Sequence, residues 1–265
     1  MKTSRLELDR IRSKTRVTRM VSRAPLRLLE TGTHEDAVEI QLSSYGGGML
    51  QGDRIGLNVR CGEATGLLLK SQANTHVYKN EIDELAVQTL HADCGDRTRV
   101  RILPEPVVLH AGAQFRQEQH WNISPTTDFV LADWMQSGRS ESAEQFAFDR
   151  FESVVCIAVD GNPVLEERFS CCPATDDIRS PAVFGPFDLM MNVYLLGPSA
   201  DHLLERLKPF LDFQQHHTDA LPQASSRPNP EMLCALNPLP FGGHILRCLA
   251  RTRRQLQPVM DVLSR

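Results

Sequence analysis

Four groups of side chains in this 265-residue chain could do chemistry: a glycine cluster, scattered carboxylates, histidines and cysteines. The densest is Gly46-Gly47-Gly48-Met49-Leu50-Gln51-Gly52-Asp53. A phosphate-cradling G-x-G-x-x-G loop needs glycine where Gln51 stands and a helix behind it, yet the next segment alternates as a strand. The cluster therefore reads as a strand-to-strand turn, in which Asp53 bonds turn amides. Carboxylates are plentiful at Asp53, Glu105, Asp133, Glu141 and Glu144, but an acid–base pair is defined by distance, which spacing does not supply. There is no G-x-S-x-G elbow and no cysteine-protease signature, so nucleophilic catalysis has no support. His216 and His217 are adjacent and project in different directions, H-E-x-x-H is absent, and His34-Glu35-Asp36 does not replace it. Isolated histidines such as His76 and His110 are expected to be hydrogen-bonded within the fold. Seven cysteines without a C-x-x-C pair exclude a disulfide framework and a structural zinc site, and most are expected in the core. His76 and the neighbouring Cys171-Cys172 are the weak candidates for metal binding.

Those residues must be held by a fold, and composition bounds it. With 41% hydrophobic and 23% charged residues, the chain can bury a substantial core, and one domain over 1–265 is the default. No run of about 18 apolar residues exists. The first 27 residues are too charged for a signal peptide, so a cytosolic protein without a membrane span is expected. A net charge of −4 argues against nucleic-acid binding. Its distribution is uneven, with nine basic and two acidic side chains in residues 1–27, which reads as solvated surface of mixed sign.

Period-two alternation predicts strands at Val38-Ile40-Leu42, Ile55-Leu57-Val59 and Val100-Ile102. Further strands are expected at Leu67–Leu69, Leu85–Leu90, Phe129–Met135, Phe146–Phe148 and Val154–Val159. The last returns at Val164-Leu165 through an Asp160-Gly161 turn. No helical pattern of 10–15 residues separates these strands, which disfavours a doubly wound fold. Helices are predicted late, at Ser199–Leu211 and around Leu256-Val259-Met260-Leu263, with Pro258 tolerable only in the first turn. Ile245–Leu249 fits either state. Five prolines in the stretch 221–240 predict an irregular linker.

Taken in order, Ala24-Pro25-Leu26-Arg27-Leu28-Leu29, the Gly46–Asp53 cluster and Ser71-Gln72-Ala73-Asn74-Thr75-His76-Val77-Tyr78-Lys79 resemble successive landmarks of the UreD/UreH family. The resemblance continues through Leu103-Pro104-Glu105-Pro106, Gly138-Arg139 with Glu144 and Phe146, the Asp160-Gly161 hairpin and Leu246–Ala250, and so spans nearly the whole chain. The segment Glu30–His34 lacks the aromatic-proline run common in the family, and the tryptophan and arginine that many members carry near the end are absent.

The resemblance implies a mainly β fold, a solenoid-like winding of strands with two α-helices in the C-terminal third. It also implies a non-enzymatic urease accessory protein with no tightly bound cofactor. Such a protein binds UreF, reaches the GTPase UreG through it, docks on apo-urease, and can pair with a second copy inside that complex. Ni²⁺ would be cargo in transit, and weak oxygen ligands suit transit better than thiolate or imidazole cages. On this reading Gly46, Gly47, Gly48, Gly52, Gly138 and Arg139 shape motif turns, while Asp53, Glu105, Asp133 and Glu144 line a polar path. Exposed apolar surface is expected to keep the free chain poorly soluble. The rival readings are a β-rich hydrolase with paired carboxylates and a stand-alone β-type binding domain.

Overall fold

The structure, a computed structural model, describes residues 3–82, 84–218 and 231–264; the side chains of Ser140 and of residues 211–218 are not described. Two antiparallel hairpins open the chain. β1 (Thr3–Ile11) and β2 (Lys14–Val21) form the first, β3 (Leu26–His34) and β4 (Ala37–Ser44) the second. The chain then winds as a coil through β5 (Gly48–Met49), β6 (Arg54–Cys61), β7 (Gly66–Ser71) and β8 (Thr75–Val77). Next come β9 (Ala86–Cys94), β10 (Arg99–Leu103), β11 (Val107–Leu109), β12 (Gln114–Ile123), β13 (Asp128–Gln136) and β14 (Arg150–Val159). Each turn lays one strand in a first sheet and the next in a second. β1, β6, β9, β12 and β14 run parallel in one, and β4, β7, β10 and β13 in the other. The short β5, β8 and β11 stack in parallel along one corner. This is the solenoid-like winding that the resemblance implied.

Antiparallel strands finish each sheet. β15 (Asn162–Cys171) folds back on β14 through Asp160-Gly161 as predicted, and β2 closes the opposite edge of this seven-stranded sheet. β16 (Leu189–Leu196) joins the second sheet beside β13. After α1 (Ala200–Thr218), β17 (Met232–Pro238) and β18 (His244–Ala250) extend that sheet, and α2 (Arg253–Leu263) ends the fold.

Burial follows the pleat. In the ladder Val38–Leu67–Val100–Phe129 and its neighbour Ile40–Leu69–Ile102–Leu131, every side chain points between the sheets. The alternate residues Leu68, Val130, Ala132 and Trp134 face outward and are covered by the two helices. Leu203, Leu204 and Leu207 of α1, with Leu256, Val259 and Leu263 of α2, are buried there, each contributing about 1.5–3 kcal/mol. Among the described residues, no helix covers the outer face of the first sheet. Its ion pairs, among them Arg60–Asp9, Arg19–Glu7 and Arg168–Glu166, give the mixed-sign surface expected from the charge distribution.

Three local expectations are corrected. Phe146–Phe148 form no strand: Phe146 has φ 56°, and the segment is a loop that drops Phe148 into the core. The proline-rich stretch 221–240 holds β17, because its prolines leave Met232–Asn237 free to pair with β18 at the sheet edge; residues 221–230 lie outside the described residues. Pro258 stands sixth in α2, beyond the first turn. The N–H it lacks would have bonded Arg254 at the helix start, and the buried stripe on the opposite face holds the helix regardless. Gln255 also secures that start, accepting from the N–H groups of Thr252 (2.9 Å) and Arg251 (3.0 Å).

Candidate functional site

The solenoid interior is not uniformly apolar. One rung of the first sheet reads Ile55–Gln88–Gln117–Ser153, four neighbours in register on parallel strands. Facing it from the second sheet are Ser71 and Asp133. A cavity of about 300 Å³ opens between them, lined by Gln88, Gln117, Gln119, Ser71, Thr75, Asn74, Glu105 and Asp133, with Leu57, Leu69, Leu90 and Ile102 behind.

Asp133 is buried on β13. Its two oxygens accept separately from Gln117 Nε2 (2.6 Å) and Ser153 Oγ (2.9 Å), and Gln117 Nε2 also lies 2.9 Å from Ser153 Oγ. Burial pushes this carboxyl above the usual carboxylate range, an effect the two donors partly oppose. The polar row continues across the second sheet. Asn192, buried on β16, stands directly opposite Asp133, and Arg247 of β18 stands opposite Asn192. Arg247 donates to Glu167 (3.0 Å) and Asn237 (3.1 Å) at the sheet edge. Glu105 lies at the other end, where Arg253, the first residue of α2, forms an ion pair with it. Arg253 also donates to Asn74 (3.3 Å) and stacks over Trp134 (5.8 Å), so one guanidinium bridges three groups at the cavity wall.

Of the four residues expected along a polar path, Glu105 and Asp133 share this cavity and the other two do not line it. Asp53 ends the glycine-rich turn, its carboxylate accepting from the Leu50 N–H (2.8 Å) as the turn reading anticipated. Glu144 lies in a separate shallow groove with His110 and Tyr78 and is gripped by Arg139, whose bonds hold its carboxyl below the usual range. The glycines serve close approach. A Cβ on Gly48 would lie 2.4 Å from the His76 carbonyl oxygen, and one on Gly138 would lie 2.2 Å from that of Glu144. Gly46, Gly47 and Gly52 all take positive φ.

The weak metal candidates find other partners. His76 Nδ1 is 2.9 Å from His110 Nε2, and burial together with Arg139 lowers the pKa of both imidazoles. Cys171 ends β15 facing the core, where burial pushes its thiol up to about 12. The Cys172 N–H is bonded to Asp176 (2.7 Å). The side chains of His216 and His217 lie outside those described. Among the described residues, no group of three or more His, Cys, Asp and Glu side chains is placed to hold a metal ion.

Gln88, Gln117, Gln119, Ser153, Asn192 and Glu167 were not singled out by sequence. Their one signal is negative: polar residues at inward positions interrupt an apolar alternation.

Fold and site together define a parallel β-solenoid with a polar cavity in its core, closed at one wall by a C-terminal helix. Residues 2–265 match the family model described as UreD urease accessory protein, and the chain belongs to that family. It is 30% identical to the urease accessory protein UreD of Cytophaga hutchinsonii, covering 98% of this chain and 90% of that protein. Identity is also 30% to UreD of Sorangium cellulosum (91% and 72% covered) and 27% to urease accessory protein D of Oryza sativa subsp. indica (78% and 68%). No helix among the described residues is long and apolar enough to cross a membrane.

Proposed function

We propose that this chain is a cytoplasmic urease maturation scaffold. It holds UreF, and through it the GTPase UreG, against apo-urease, and passes Ni²⁺ toward the urease active site through its internal cavity. The observation that carries the reading is Asp133, a carboxylate set among neutral amide and hydroxyl groups deep between two sheets. An interior selected for stability alone would place an apolar side chain there, since a buried ionisable group costs free energy unless fully partnered.

A conduit must bind its ion weakly. Free N, O and S sites prefer Cu²⁺ to Ni²⁺, so a closed path secures the right ion by origin, and carboxylate and amide oxygens with retained water allow it to leave. Asp133 offers the passing dication carboxyl oxygens held by neutral amide and hydroxyl donors. Glu105 exchanges Arg253 for it. The scaffold part is supported by apolar side chains that stand in water: Tyr45, Leu50 and Ile82 are each 59% exposed.

The reading is tested by co-expressing the tagged chain with UreF, UreG and apo-urease. The expected result is one co-purifying assembly whose urease gains activity with Ni²⁺ and GTP, and loses that gain when the chain is left out. Substrate turnover by the isolated chain, or failure to retain UreF, would overturn it.

A further inference from the structure

Two thiols face each other at the free edge of the helix-covered sheet, in the apolar cluster under the helices. β17 is the last strand of that sheet, and its antiparallel register with β18 sets Cys234 directly opposite Cys248. Directly opposed cross-strand residues share a face and lie within about 4.5–5.5 Å at the backbone, inside the span a disulfide can bridge. Here the sulfurs are 2.9 Å apart. Non-bonded heavy atoms in contact stand at about 3.5–4.0 Å. Two thiolates sharing one tetrahedral zinc at about 2.3 Å each would stand on the order of 3.8 Å apart. A shared metal would have to push this pair outward, whereas a covalent bond, at about 2.05 Å, only draws it in.

We propose that Cys234 and Cys248 form a reversible disulfide, written by small disulfides of the glutathione class, that staples edge strand β17 to β18. Accessibility sets the order of steps. Cys234 is half-buried on the edge strand, while Cys248 is fully buried, and its contact with Cys234 together with burial raises its thiol pKa. The Cys234 thiolate attacks one sulfur of the small disulfide, expelling a first thiolate and leaving a mixed disulfide. Cys248 gives up its proton to that thiolate and attacks Cys234 Sγ, and the second small thiol departs. Two protein thiols are oxidised, one small disulfide is reduced to two thiols, and no further oxidant is needed.

The chain carries its own control. Cys61 and Cys94 are also register neighbours, on β6 and β9, but both are buried inside the solenoid, so that pair lacks a half-exposed thiol like Cys234 to start the exchange. The staple would fix the edge strand that α1 leans on.

The full-length chain is reduced, equilibrated with glutathione and glutathione disulfide over a range of ratios, acid-quenched, alkylated and peptide-mapped without reduction. The expected result is a single cross-link joining the Cys234 and Cys248 peptides, with five of the seven cysteines alkylated. Amides of β17 should exchange severalfold more slowly in the oxidised chain than in the reduced one. Cys248→Ser should instead keep glutathione on Cys234, with no cross-link, while Cys61→Ser should leave the staple unchanged. Full alkylation of both cysteines at the most oxidising ratio, persistent glutathione on Cys234 in the wild-type chain, or prior linkage of Cys61 to Cys94 would each overturn the proposal.

Discussion

Along the same strands, the solenoid interior is dry at one end and polar at the other. At the dry end Val59, Ala92, Trp121 and Ile157 stack in register, and Trp121 meets Phe129 edge to face at 5.1 Å. Four residues earlier on each strand, the same inward phase holds Ile55, Gln88, Gln117 and Ser153, across from Asp133. Backbone geometry does not distinguish the two rungs, so only side-chain chemistry does. The first rung drives folding by excluding water. The second gives up that gain and is held by hydrogen bonds, a pattern that makes sense if the interior must receive something polar.

The comparison can be broken most forcefully at the dry end. Trp121→Ala should cost about 3–5 kcal/mol in urea unfolding, because the sealed rung cannot collapse around the void. A loss below about 1 kcal/mol would mean that this half is already loosely packed. At the corner bordering the cavity, Gly48→Ala should cost about 1–3 kcal/mol, since its Cβ would meet backbone oxygen rather than a side chain that can move.

Asp133→Asn should change stability less, with a sign set by pH. Burial raises the Asp133 pKa, so between the ordinary carboxylate range and the raised value the folded chain holds a proton that the unfolded chain has lost. The stability present in acid is therefore lost as pH rises through that window. D133N lacks this loss, and its urea midpoint relative to wild type should rise with pH; a pH-independent difference would show that Asp133 does not titrate in the window. Least affected should be Arg168→Ala on the open face of the first sheet, where an exposed pair with Glu166 should leave the midpoint unmoved. A clear shift there would mean that the open face stabilises more than its exposure implies.

The apolar alternation was legible in the sequence at Val38-Ile40-Leu42 and Ile55-Leu57-Val59, and the winding itself came with the family resemblance. The polar end was not. β12 escapes the pattern because Gln117 and Gln119 stand where apolar residues would mark it, so a strand carrying one of the two donors to Asp133 is hidden from alternation. Asp133 and Glu105 were reached through motifs, and Asp53 and Glu144 came with them for the same reason. Motif membership does not separate a carboxylate that lines a cavity from one that ties a turn or grips Arg139. Arg253 was invisible as well, because its role depends on a helix folding back onto Trp134 from far along the chain.

Whether the polar rung serves nickel delivery is tested most directly by activating apo-urease with UreF, UreG, GTP and Ni²⁺, using wild-type, D133N and Arg168→Ala chains after size-exclusion chromatography has established equal complex formation. The polar-cavity reading predicts an intact complex with activation several-fold lower for D133N, and wild-type activation for Arg168→Ala. Full activation by an intact D133N complex would contradict it.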